Sequence, residues 1–88
     1  MYSSSSHVSI PRPPDVVTIL WSRNPLRPRS FRTIVDAAVI GSADPCRRFL
    51  RSGQRYVDAR DCLLQNGFRL VSQQRFSVFG VAVFVRQH

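Results

Sequence analysis

Lysine and glutamate are absent from this chain. Its 13 basic residues are all arginine and its 5 acids all aspartate, which leaves a formal net charge of +8 over 88 residues. Arginine presents a planar, bidentate fork that suits phosphate, and it stacks on bases. A GC-rich coding bias accounts for arginine in place of lysine. It does not account for the surplus of positive over negative charge, and that surplus points to a polyanionic partner.

Cysteine and histidine are scarce. Cys46 and Cys62 make no CxxC pair and no zinc spacing, and His7 and His88 sit near opposite termini. No metal and no cofactor is expected. Both thiols fall in segments expected to be helical, where cysteine serves as a small core residue; a disulfide between them is the alternative. Nothing demands an oxidising compartment, so a cytoplasmic location is expected. No apolar run approaches the ~20 residues of a membrane span. The N-terminus lacks the basic start and apolar core of a secretory signal, although its serine and arginine, with no acid before Asp15, also suit a transit peptide.

Several catalytic signatures are missing too. There is no nucleophile–base pair, no carboxylate dyad and no phosphate-binding loop. Asp58 and Asp61, three apart on a helix face, read as solvated partners for arginine. Arginine with Tyr56 is the one combination left for a nuclease. The expectation is a protein that is not an enzyme.

What is present suffices for one small core: the apolar fraction is 43%, which argues for folding. Residues 1–14, with Ser3 to Ser6 and Pro11, Pro13 and Pro14, read as a flexible arm. Residues 15–88 read as a single basic domain. Asp15 to Trp21 is short and β-branched, a strand apolar on both faces and therefore central or covered on each side. Ser22 to Ser30 holds Pro25 and Pro28 with Arg23, Arg27 and Arg29, a stiff basic loop that contacts phosphate or merely connects.

Phe31, Ile34, Val35, Ala38 and Val39 match the i, i+3, i+4, i+7, i+8 spacing, which predicts a helix from Phe31 to Ile40 between Ser30 and Gly41. The competing reading, from its β-branched content, is a strand over Phe31 to Asp36. Asp44-Pro45 predicts a helix start, with Cys46, Phe49 and Leu50 inward and Arg47, Arg48 and Arg51 gathered outward. A charged solvent face would look the same, but three like charges on one short face favour a polyanion. Gln54 to Gln65 predicts a third helix closed by Asn66-Gly67, with Arg60 turned toward its apolar sector and needing to snorkel or pair.

The end of the chain, Phe68 to Arg86, predicts a β-hairpin. One register turns at Phe79-Gly80; the other turns at Gln73-Gln74 and uses Gly80 as a bulge. In the first, Phe76, Val78, Val81, Val83 and Val85 enter the core and Gln73, Arg75 and Arg86 are exposed. The fold class expected is therefore α+β: a short N-terminal strand, three helices and a C-terminal antiparallel β-hairpin.

That order resembles winged helix-turn-helix domains. The resemblance rests on Asp44 to Leu50 as second helix, Ser52-Gly53 as turn and Gln54 to Gln65 as third helix, with Leu63 to Phe68 as its exit. It implies DNA binding, the third helix in the major groove and the hairpin on the backbone. Asp58 and Asp61 on that helix's outward face depart from it, since both repel phosphate; only Gln54, Arg55 and Gln65 there help. Affinity would come instead from Arg23, Arg27, Arg29 and Arg32 in the loop, from Arg47, Arg48 and Arg51, and from Arg55 and Arg75, through phosphates of DNA or RNA. The alternative is a small inhibitor or adaptor that binds an acidic or nucleic-acid-binding protein, with aromatics such as Phe79 at its surface. An exposed hairpin edge also allows a homodimer.

Overall fold

The computed structural model describes residues 12–27 and 29–88. Most of the expected N-terminal arm, residues 1–11, lies outside them.

The first strand forms as its sequence predicts. β1, Asp15–Ser22, buries Asp15, Val17, Ile19 and Trp21 on one face and half-buries Val16, Thr18, Leu20 and Ser22 on the other. It lies centrally in a four-stranded antiparallel sheet of order β2-β1-β4-β3, where β2 is Thr33–Ile40, β3 is Arg69–Phe76 and β4 is Phe79–Arg86. Among the described residues the one α-helix, α1, spans Tyr56–Gln65. It covers a single face of the sheet, together with the segment joining β2 to it.

This mostly β architecture overturns the three-helix expectation. The stretch predicted as the first helix is β2, paired with β1 along its length with a bulge opposite Leu20 and Trp21. Five of its eight residues (Thr33, Ile34, Val35, Val39 and Ile40) are β-branched, and such side chains lose rotamer freedom in a helix and pack well on a pleat. The apolar residues that matched helical spacing do not share one face: Ile34 is buried, whereas Phe31, Val35 and Val39 are exposed. The expected second helix is a single 3₁₀ turn, Arg47–Leu50, with no side-chain cap. Four residues before a Ser52-Gly53 break cannot build more. With one α-helix among the described residues there is no helix-turn-helix there, so the winged-helix resemblance fails.

α1 stands where it was expected, and its end is explained by its residues. Gly67 follows at φ 90°, and the Phe68 N–H donates to the Leu63 carbonyl at 3.0 Å. This is the six-to-one bond that glycine permits past a helix C-terminus, with Leu63 and Phe68 packed together. Cys46 and Cys62 are joined as a disulfide that ties the 3₁₀ turn to α1.

The hairpin follows neither expected register. β3 and β4 meet at Ser77-Val78, with Ser77 at φ 58°. The shift changes which residues face the core: Ala82 and Phe84 are fully buried, while Val81, Val83 and Val85 are half-buried on the far face and Phe76 is exposed. Gly80 is neither turn nor bulge. It lies within β4 against the indole of Trp21. The three fully buried aromatics, Trp21, Tyr56 and Phe84, each contribute on the order of 4–6 kcal/mol of apolar burial as an upper estimate.

Arg86, expected to be exposed, is an internal clamp. Its guanidinium meets Asp15 Oδ2 at 2.8 Å and donates to the carbonyls of Ser42, Asp44 and Asn66. It also lies 4.4 Å from the Phe68 ring centre. One side chain thus joins the start of β1, the end of β4, the loop after β2 and the end of α1. The Ser42 N–H first of all, then Arg86 and His88, hold the Asp15 carboxyl down at about 2 against the opposing effect of burial.

Candidate polyanion interface

Eight of the 13 arginines fall into two groups that share no lining residue. The first grows from the 3₁₀ turn, which points Leu50 inward and leaves Arg47, Arg48 and Arg51 exposed. With Ala37, Val39 and Leu50 these three line an open groove of about 640 Å³ beside β2. The Arg48 guanidinium rests 4.9 Å from the Phe49 ring centre. None of the three is paired with an acid among the described residues; the ion pairs there are Arg60 with Asp61, and Asp15 with Arg86 and His88.

The second group gathers where β1 ends and α1 begins. Arg32 is wedged between Trp21 and Tyr56, 5.0 Å and 4.8 Å from their ring centres. Stacking of this kind is worth about 0.5–2 kcal/mol. Burial lowers the Arg32 pKa; Tyr56 opposes this, and Arg23, Arg60 and Arg75 push it further down. Four guanidinium groups therefore feel one another here, and Arg60 alone holds an acid, Asp61 at 3.1 Å. Burial likewise raises the Tyr56 hydroxyl, against the pull of Arg32 and Arg60.

Two cavities open onto this group. Arg23, Arg32 and Arg55 line one of about 400 Å³ with Ser30, Phe31 and Val57; Arg55 stacks on Phe31 at 3.9 Å. Arg23 and Arg75 line the other, of about 170 Å³. The basic loop is folded back on itself to place Arg23: its N–H donates to the Val78 carbonyl at 2.6 Å, and Ser30 N–H to that of Arg27 at 2.8 Å. Arg27 and Arg29 stay exposed on that loop and line neither cavity.

Of the nine arginines singled out from sequence, Arg47, Arg48 and Arg51 come together, as do Arg23, Arg32, Arg55 and Arg75. Sequence reading missed the aromatic pair that holds Arg32, and it missed Arg60 as a member of the same electrostatic group. The available signal was the alternation in β1, which puts Trp21 on the face of Val17 and Ile19.

The far face of the sheet bears almost no charge. Opposed across it lie Ile40, Val16 and Val85, then Ala38, Thr18 and Val83, then Leu20 and Val81. Phe76 and Phe79 stack at its end with ring centres 5.3 Å apart, each more than two-fifths exposed. Asp36 and Arg69 occupy its two edges by register. Among the described residues no helix is long and apolar enough to cross a membrane. No protein-family model, no curated protein and no solved structure matches this chain.

Proposed function

We propose that the protein is a non-enzymatic nucleic-acid binder that contacts phosphates through its clustered arginines. The observation that carries this reading is the groove of Arg47, Arg48 and Arg51, three exposed guanidiniums with no acid beside them. Three like charges held together by one 3₁₀ turn repel, and a chain of phosphates relieves that repulsion. With no helix-turn-helix among the described residues, binding follows the backbone and reads little sequence. Each phosphate neutralised adds about 0.9 to the salt slope on duplex DNA. Six contacts, three from each arginine group, then cost roughly 10³-fold in affinity between about 50 and 200 mM salt.

The test is fluorescence anisotropy of labelled duplex and single-stranded DNA and RNA across that salt range. Replacing Arg47, Arg48 and Arg51 by glutamine should weaken binding alike for all sequences and shrink the slope by about 2.7. Absence of any complex at about 50 mM salt overturns the reading.

The open sheet face favours a second reading, a protein-interaction module. An apolar surface across β2, β1 and β4, ending in two stacked and exposed phenylalanines, is the kind of surface that marks an interface. Under this reading, affinity capture after nuclease treatment recovers one protein stoichiometrically and Val83→Arg abolishes the recovery. Recovery that Val83→Arg leaves unchanged removes the open face from consideration.

A further inference from the structure

We propose that the 170 Å³ cavity between the end of β1 and the β3–β4 turn binds one tetrahedral oxyanion, a phosphate monoester or free inorganic phosphate. It is lined by Trp21, Arg23, Asn24, Pro25, Arg75, Ser77 and Val78. The inference is independent of the Arg47–Arg51 groove.

Three observations meet at this cavity. First, its lining is rich in donors and has no carboxylate. Arg23 and Arg75 contribute guanidiniums, Trp21 an indole N–H and Ser77 a hydroxyl; Asn24 spends its side-chain oxygen on the Leu26 N–H at 2.9 Å, which leaves its amide donors. Second, two of those donors are stranded. Trp21 Nε1 and Arg23 Nε are buried and find no hydrogen-bond partner among the described residues, although Trp21 is only 1% exposed. Leaving a buried donor unmet is unfavourable, and more so when it is charged, so such atoms mark a site where an acceptor belongs. Third, the field is positive and uncompensated. Arg32, 5.0 Å from the Trp21 ring centre, adds to the charge of Arg23 and Arg75.

Size selects the ligand within that chemistry. The cavity is several times the ~30 Å³ that a water occupies in the liquid. It has room for one phosphate-sized anion, with little left for a nucleotide. The Trp21 indole is also pinned. A side chain at Gly80 would collide with its ring, so the ring lies directly on the backbone of β4 and its N–H is fixed in direction. Arg23 and Arg75 line the same small space with the Ser77 hydroxyl and the Asn24 amide, so several donors can converge on one anion.

Trp21 is the single tryptophan, so its fluorescence reports the site directly. The experiment titrates the full chain with inorganic phosphate at constant ionic strength. A saturable change in Trp21 emission is expected, weakened about tenfold or more by Arg75→Gln and unmoved by the glutamine triple variant at Arg47, Arg48 and Arg51. Arg75 is exposed, so its replacement leaves the fold standing. An emission response no larger than that to chloride, or an Arg75→Gln chain that titrates like the original, overturns the proposal.

Short oligonucleotides then identify the source of the anion. Displacement of phosphate by a 5′-phosphorylated strand but not by a 5′-hydroxyl strand assigns the pocket to nucleic acid ends. Displacement by neither assigns it to free phosphate. Equal displacement by both strands shows that backbone phosphodiesters suffice and refutes a discrete pocket. Failure of nucleic-acid binding with phosphate titration intact would sink the groove and leave this site standing.

Discussion

Gly80→Ala should be the most damaging single-methyl change in the sheet. A Cβ at Gly80 would collide with Trp21 Cζ2 and lie 2.6 Å from Trp21 Cε2 and 2.7 Å from the Gln74 carbonyl oxygen. The problem is space, and neither neighbour can yield easily. Trp21 is fully buried, with Tyr56 6.1 Å away between ring centres and Arg32 stacked on both. Gln74 belongs to β3, paired with β4 opposite Val81, so its carbonyl moves only if the ladder moves.

Overpacking of a tight core costs about 1–3 kcal/mol, and the upper half of that range applies where backbone must shift. A domain of this size loses roughly 4–8 °C of Tm per kcal/mol, so the expected fall is roughly 10–20 °C. Val81→Ala, one residue on and half-buried on the open face, supplies the contrast, with a loss of about 0.8 kcal/mol for two half-exposed methyls. Both are read by urea unfolding followed through Trp21 fluorescence. A Gly80→Ala protein within about 0.5 kcal/mol of the parent would show that the indole does not lie on β4, and the geometry of the phosphate cavity would fall with it.

Acid should act through Asp15. Its native pKa of about 2 lies below the ordinary 3.8, so the clamp's contribution is complete above about pH 4 and disappears as pH falls toward 2. The stability gap between the parent and Asp15→Asn, measured by urea unfolding at about pH 5 and again at about pH 2, should therefore close; a gap that stays constant refutes the ion-pair account. Removing the Cys46–Cys62 bridge, which closes a loop of sequence separation 16, should lower stability by about 3 kcal/mol on chain-entropy grounds. An unchanged urea midpoint for the double alanine variant would show that the bridge constrains nothing in the unfolded chain.

Local punctuation was legible in the sequence and long-range pairing was not. β1 could be read because its β-branched run is bounded by Pro14 and the basic loop. α1 could be read because its exit, Asn66-Gly67-Phe68, carries its own chemistry in the left-handed glycine and the Phe68-to-Leu63 bond. Arg60 was recognisable as a residue needing an acid, and it holds Asp61. β2 was misread because its apolar residues satisfy helical spacing while spreading over both sides of a strand. Only its pairing with β1 decides the matter, and a partner 11 to 24 residues away by register leaves no local mark.

The reversed face of β4 has a physical cause with a functional consequence. Alternation separates inside from outside only when one face is polar. In Phe79–Arg86 both faces are apolar, so no pattern within the strand says which enters the core. The decision comes from elsewhere: Gly80 must face Trp21 because no other residue fits beneath the indole. That puts Ala82 and Phe84 in the core and sends Val81, Val83 and Val85 to the open side. The glycine that sets this phase therefore also creates the apolar outer face, and it seats the indole in the cavity that Arg23 and Arg75 line. The Arg23 and Arg75 cavity and the apolar surface of β4 are thus set on opposite sides of the sheet by one steric contact, and an anion bound by the first would leave the second free for another protein.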